Sequence, residues 1–107
     1  MHTASTKEFF VYITASRPRG VLYVGMTSDL AGRAWEHRER VIEGFTHRYW
    51  AGRLVYFERH DDASAAAKRE RLMKRWRRDW KINAIEAMNP TWADLFPLAV
   101  RLDGLDY

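Results

Sequence analysis

The sequence predicts a small α+β domain: a three-stranded antiparallel sheet covered by helices, with elements in the order β-β-α-β-α plus a C-terminal helix. Three observations carry this. Two short runs rich in aromatic and β-branched residues lie near the N-terminus, separated only by a tight turn. A third run of the same kind occupies 53–59. Amphipathic stretches that open on capping residues come after the second and third runs.

Residues 8–14 alternate and contain "FVYIT" at 10–14, which reads as the first strand. Arg17-Pro18-Arg19-Gly20 reads as a turn, with proline setting φ and Gly20 supplying a positive φ. Residues 21–25 form the second strand, which breaks at Gly25 and runs into Thr27-Ser28-Asp29. Ser28 or Asp29 can cap a helix over 29–41. "RLVYFER" at 53–59 is the third strand. Asp61-Asp62-Ala63-Ser64 caps a long helix over 63–87, which Asn89-Pro90 ends. On that helix Ala65, Leu72, Met73, Trp76, Trp80, Ala84 and Ala87 share one side, the spacing of a core-facing stripe. "TWADLF" at 91–96 is a short final helix or turn, and 101–107 is a tail.

With 107 residues the chain is one domain, with no repeat, low-complexity tract or linker. It has no cysteine, which excludes a disulfide framework and a thiolate zinc site and suits a reducing compartment, so a cytoplasmic location is expected. No apolar run approaches the ~20 residues of a membrane span. Met1-His2-Thr3-Ala4-Ser5 lacks the basic and apolar regions of a secretion signal. The net charge is +4, but its distribution matters more: "KRERLMKRWRRDWK" at 68–81 holds eight Lys/Arg against two acids, and the rest of the chain is slightly acidic. A basic stripe on one element suits a phosphate backbone, and equally a solvated helix face.

Several residues could carry chemistry. Tyr12 and Tyr23 sit mid-strand in neighbouring strands, as a cross-strand aromatic pair or two core tyrosines would. Arg33 and His37 are one helical turn apart on a face that begins just after Tyr23 and Gly25, so the three could converge. Arginine can hold a phosphate oxygen with two bonds, and histidine can move a proton near neutral pH. Glu70 flanks the apolar stripe, with Lys74, Arg77 and Lys81 further along its face. It reads either as an ordinary i,i+4 ion pair or as a carboxylate holding a divalent cation beside a phosphate-binding face.

The chain resembles the GIY-YIG endonuclease superfamily over about residues 8–96, on "VYI" at 11–13, "YVG" at 23–25, "YVGMTSDLAGRAWEH", and the β-β-α-β-α order. "THRYWAGRLVYFE", "AAAKRERLMKRWRRDWK" and "NPTWADL" look like its small stand-alone YhbQ-like, excinuclease-subunit-C-like branch. The resemblance implies that Tyr12 and Tyr23 are the signature tyrosines, Arg33 the active-site arginine, His37 a position held by His or Tyr, and Glu70 the single metal-binding glutamate. It implies divalent-metal-dependent hydrolysis of a DNA phosphodiester; by residue chemistry one Mg²⁺ or Mn²⁺ would sit on Glu70, with Tyr23 or His37 as the base. The basic stripe with His47 and Arg48 would track the DNA backbone, giving structure-selective or weakly sequence-specific cleavage. Val11 replaces the first signature glycine, and Met26 stands where some relatives have lysine. Asn83 is a candidate for a polar residue that relatives carry late in the long helix, though it falls on the core side of the helical wheel. The alternatives are a non-catalytic nucleic-acid-binding domain on the same fold and a protein-interaction module using Trp92 and Phe96. The chain could act as a monomer or a weak homodimer.

Overall fold

A computed structural model describes residues 8–39 and 51–102. Three strands, β1 (Phe9–Ala15), β2 (Leu22–Thr27) and β3 (Arg53–His60), form one antiparallel sheet in the order β2-β1-β3. The α+β class and element order are as the sequence predicts. Alternation divides the sheet into two faces. Phe10, Tyr12 and Leu54 turn toward α1 (Leu30–Arg38) and the C-terminal helix. Val11, Ile13, Ala15, Val24 and Val55 turn the other way, onto Ala66, Met73, Ile85 and Trp92. The Val11 that replaces a glycine is therefore a core residue. A register shift in β3 opposite Ile13/Thr14 leaves both Val55 and Tyr56 against the second cluster.

The turn between β1 and β2 differs in one detail from expectation. The left-handed residue is Arg19, at φ 57°, and not Gly20. Gly20 is needed for closeness instead, since a Cβ there would stand 2.4 Å from Ser16 Oγ. Arg19 is held in place by Glu86, with both nitrogens of the fork at 3.1 Å from the carboxylate. Arg78 donates to the carbonyls of Arg19 and Gly20, so the turn is tied to the helical segment beyond β3.

The largest correction concerns the helix expected over 63–87. It is two helices, α2 (Ala63–Arg75) and α3 (Arg78–Met88). Trp76 and Arg77 between them are extended, with ψ 146° and 156°. No glycine or proline marks the break. Its anchor is tertiary, the Arg78 bond to the turn carbonyls, so a continuous helical wheel misassigns the residues after Arg75. Of the expected stripe only Met73 is fully buried and Trp76 packs partly against the core. Leu72 and Trp80 are half exposed, and Ala87 is exposed. Ala66 and Ile85 take their place, and Asn83 faces solvent.

Of the helix or turn expected over 91–96, the structure forms a turn and a bonded loop, and the last helix, α4 (Phe96–Leu102), runs into what read as the tail. The Asn89 amide donates to the carbonyls of Val55 and Ala93 while its oxygen accepts from Ala93 N. Trp92 adopts φ 59°, is buried, and donates its indole N–H to Glu86 at 2.7 Å. A buried Trp92 is not an exposed interaction residue, which removes half the basis for the protein-interaction reading.

Asp62 caps α2, accepting from Ala65 N at 2.7 Å. Asp62→Ala is expected to cost about 1 kcal/mol, read as a fall of about 4–8 °C in melting temperature. An unchanged melting curve would show that α2 is held by its packing alone.

Candidate active site

The β1–β2 register places Tyr12 opposite Gly25 and Thr14 opposite Tyr23, which makes the two tyrosines diagonal neighbours on one face. Their ring centroids are 6.4 Å apart. The glycine makes this possible: a Cβ at Gly25 would stand 2.4 Å from the Tyr12 hydroxyl oxygen and 2.5 Å from the ring carbon that bears it. The Tyr12 ring lies directly over the β2 backbone.

Helix α1 supplies the third ring. Asp29 is its cap, accepting from Gly32 N, and Leu30, Ala31, Ala34 and His37 are its buried residues. His37 thus continues the apolar side of α1 and is driven into the sheet. Its ring centroid lies 5.5 Å from that of Tyr12 and 4.9 Å from that of Tyr23. One hydrogen bond of 3.0 Å joins the Tyr12 hydroxyl and His37 Nε2. His37 Nδ1 is buried with no partner among the described residues.

Burial governs both titrating groups. Desolvation, then the nearby Arg33 cation, pushes His37 down to about 4 from an ordinary 6.5. The imidazole is therefore neutral at pH 7. Desolvation also holds the Tyr12 phenol far above its usual value. Tyr23, Glu70 and Glu36 add to that rise and Arg33 opposes it. Tyr12 thus keeps its proton throughout the neutral range.

The sign of the His37 effect gives a stability prediction. Below pH 6.5 the unfolded chain's imidazole takes up a proton, which the folded one refuses until about pH 4. The fold is expected to lose about 3 kcal/mol as pH falls through that window, and nothing further from this group below it. Chemical denaturation at a series of pH values would show the slope. His37→Gln should flatten it above pH 5, and an equal slope in both proteins would rule out His37 as its source.

Arg33 lies one turn before His37, part exposed, with Nη1 3.5 Å from Glu36 Oε1. Glu70 comes from α2, behind the sheet, yet its charge reaches Tyr12. This is possible because β2 is an edge strand, so side chains from both layers meet along its rim. Lys74 and Lys81 join Leu22, Tyr23 and Val24 around an open hollow of about 230 Å³ there. Glu70 itself pairs with Lys74 at 3.1 Å.

Tyr12, Tyr23 and His37 are thus in mutual contact, the charge of Arg33 bears on Tyr12 and His37 and that of Glu70 on Tyr12, and Lys74 and Lys81 flank Tyr23. Arg77 is not in this group, since its guanidinium lies over the Trp80 ring at 5.3 Å. His47 and Arg48 lie outside the described residues. Sequence reading missed Glu36, whose i,i+3 spacing from Arg33 was the available signal.

Residues 8–83 match the GIY-YIG catalytic domain family. The chain belongs to that family. No curated protein and no solved structure matched it. As a GIY-YIG domain it is a nuclease, a hydrolase with DNA as its substrate. GIY-YIG nucleases generally depend on a divalent metal. Among the described residues no group of three His, Asp or Glu side chains could cage a metal ion, and no helix is long and apolar enough to cross a membrane. A single hard carboxylate such as Glu70, whose partner Lys74 lines the open hollow, fits an ion that keeps most of its shell as water and substrate oxygen.

Proposed function

We propose that this chain is a divalent-metal-dependent DNA endonuclease of the small stand-alone YhbQ-like branch, acting in the cytoplasm on DNA chosen by shape more than by sequence. The observation that carries it is the packing of Tyr12, Tyr23 and His37 into one cluster, with Arg33 one helical turn from His37.

The roles rest on exposure. His37 is fully buried, so it does not meet a water molecule directly. Tyr23 is part exposed at the hollow and is the group that orients the attacking water. His37, packed against the Tyr23 ring, is a positioning residue, and Tyr12 fixes it through the 3.0 Å hydrogen bond. Arg33 stabilises the charge that builds on the phosphoryl oxygens. Lys74 and Lys81 hold the flanking phosphates, placing the strand without reading bases. Glu70 would hold one Mg²⁺ or Mn²⁺, with Lys74 swinging to phosphate as it binds. When bound, the ion supplies Lewis-acid polarisation of a phosphoryl oxygen.

The test is incubation of the protein with labelled single-stranded, duplex and branched DNA at low salt, with Mg²⁺, Mn²⁺ or EDTA. Internal cleavage that needs the metal is expected, strongest on one DNA form. Binding to all forms with no cleavage in either metal would instead mark a nucleic-acid-binding domain. The Lys74–Glu70 ion pair is the observation that favours that second reading.

A further inference from the structure

On either side of the break between α2 and α3 a basic, partly apolar face is exposed, and the catalytic cluster does not use it. Leu72 and Trp80 are each half exposed there. Leu72 lines two adjoining hollows. One, of about 450 Å³, is completed by Arg75, Trp76, Arg77 and Trp80. The other, of about 680 Å³, includes Lys68, Arg69 and His60, with Asp62 as its one acidic side chain. The two indoles meet edge to face at 6.3 Å, with Arg69 over Trp76 and Arg77 over Trp80. Of the cations lining the two hollows, Arg69 is paired with Glu58 and Arg77 with Asp79, whereas Lys68 and Arg75 make no ion pair among the described residues and their charge is available.

We infer that this face is a stacking platform for unpaired nucleotides of the DNA substrate. The ligand is deduced from two properties of the face together. An apolar protein partner would match Leu72 and Trp80 but not the surrounding cations. A duplex would match the cations but present no open base face to the indoles. A single strand matches both, since its phosphates take the Lys/Arg rim and each base offers a π-face to an exposed indole or guanidinium plane. Lys81 is next to Trp80 in the chain and lines the hollow beside Tyr23, so one strand can pass from the platform to the catalytic cluster. The preferred substrate therefore carries a single-stranded arm next to the bond that is cut. This deepens the nuclease reading and rests on it for DNA as the ligand.

The experiment measures binding without cleavage. Metal-free wild type, Trp80→Ala and Trp80→Phe are titrated in EDTA against fluorescein-labelled oligothymidine of about 12 nucleotides and against duplex of the same length, with sedimentation and thermal melting alongside. Trp80→Ala is expected to weaken single-strand binding about tenfold and duplex binding by less than about twofold, with Trp80→Phe close to wild type. Equal losses on both DNAs, no loss on either, or failure of phenylalanine to restore binding would overturn the platform. So would a wild-type dimer that Trp80→Ala splits, which would make the face an interface between copies. Because EDTA removes the need for turnover, a protein that never cuts DNA can still pass this test, and a nuclease can still fail it.

Discussion

Glu70→Gln is expected to lower metal-dependent cleavage about a thousandfold while leaving the melting temperature almost unchanged. Glutamine keeps the length and planarity of the side chain but removes the charge that would hold a cation. The structural cost is small. The ion pair lost is a part-exposed i,i+4 contact with Lys74 on one helix, worth about 0.3–0.5 kcal/mol. Initial rates on end-labelled DNA across a Mg²⁺ series, with a thermal melt of each protein, separate the two quantities. Glu36→Gln is the control: Glu36 also acts on Tyr12 by charge, but its partner is Arg33, and its replacement should cost about tenfold or less. A Glu70→Gln protein that keeps more than about a tenth of the rate would remove Glu70 from the metal site.

Gly25→Ala is expected to lose about hundredfold in rate and about 2–3 kcal/mol in stability. The backbone is not the reason, because Gly25 does not sit in the left-handed region. The reason is space. The added methyl would overlap the Tyr12 hydroxyl and its ring carbon at 2.4 and 2.5 Å, and Tyr12 is buried, with its hydroxyl bound to His37. The ring must move, and His37 loses the bond that sets its orientation. Urea unfolding and cleavage rates measure both losses. Tyr12→Phe in the Gly25→Ala background should not restore either, because the ring carbon remains in the way. Recovery in that double variant would show that only the hydroxyl collides.

Local chemistry explains what the sequence revealed and what it hid. The tyrosine pair was legible because period-2 alternation and a short turn fix the hairpin register, which decides that Tyr12 and Tyr23 share a face. The Arg33–His37 spacing was legible because one turn of helix is enough to define it. The break at Trp76-Arg77 was not, since it depends on Arg78 reaching carbonyls 58 and 59 positions earlier in the chain. Trp92 in a left-handed conformation was equally hidden, its indole being held by Glu86 and the loop by the Asn89 side chain. The outward turn of Trp80 follows from the same break, so its place beside the exposed Leu72 could not be read from a wheel that assumed one helix.

The tip of a β-hairpin is usually where a reporter sequence or an affinity tag can be spliced in, because little depends on it. In this protein the tip at Arg17–Gly20 is a fastening. Glu86 grips Arg19, Arg78 grips two of the tip's carbonyls, and the same Glu86 holds Trp92. A splice there would cut the ties that α3 and the loop after it make to the hairpin, leaving Ile85 and Trp92 in the core to hold them.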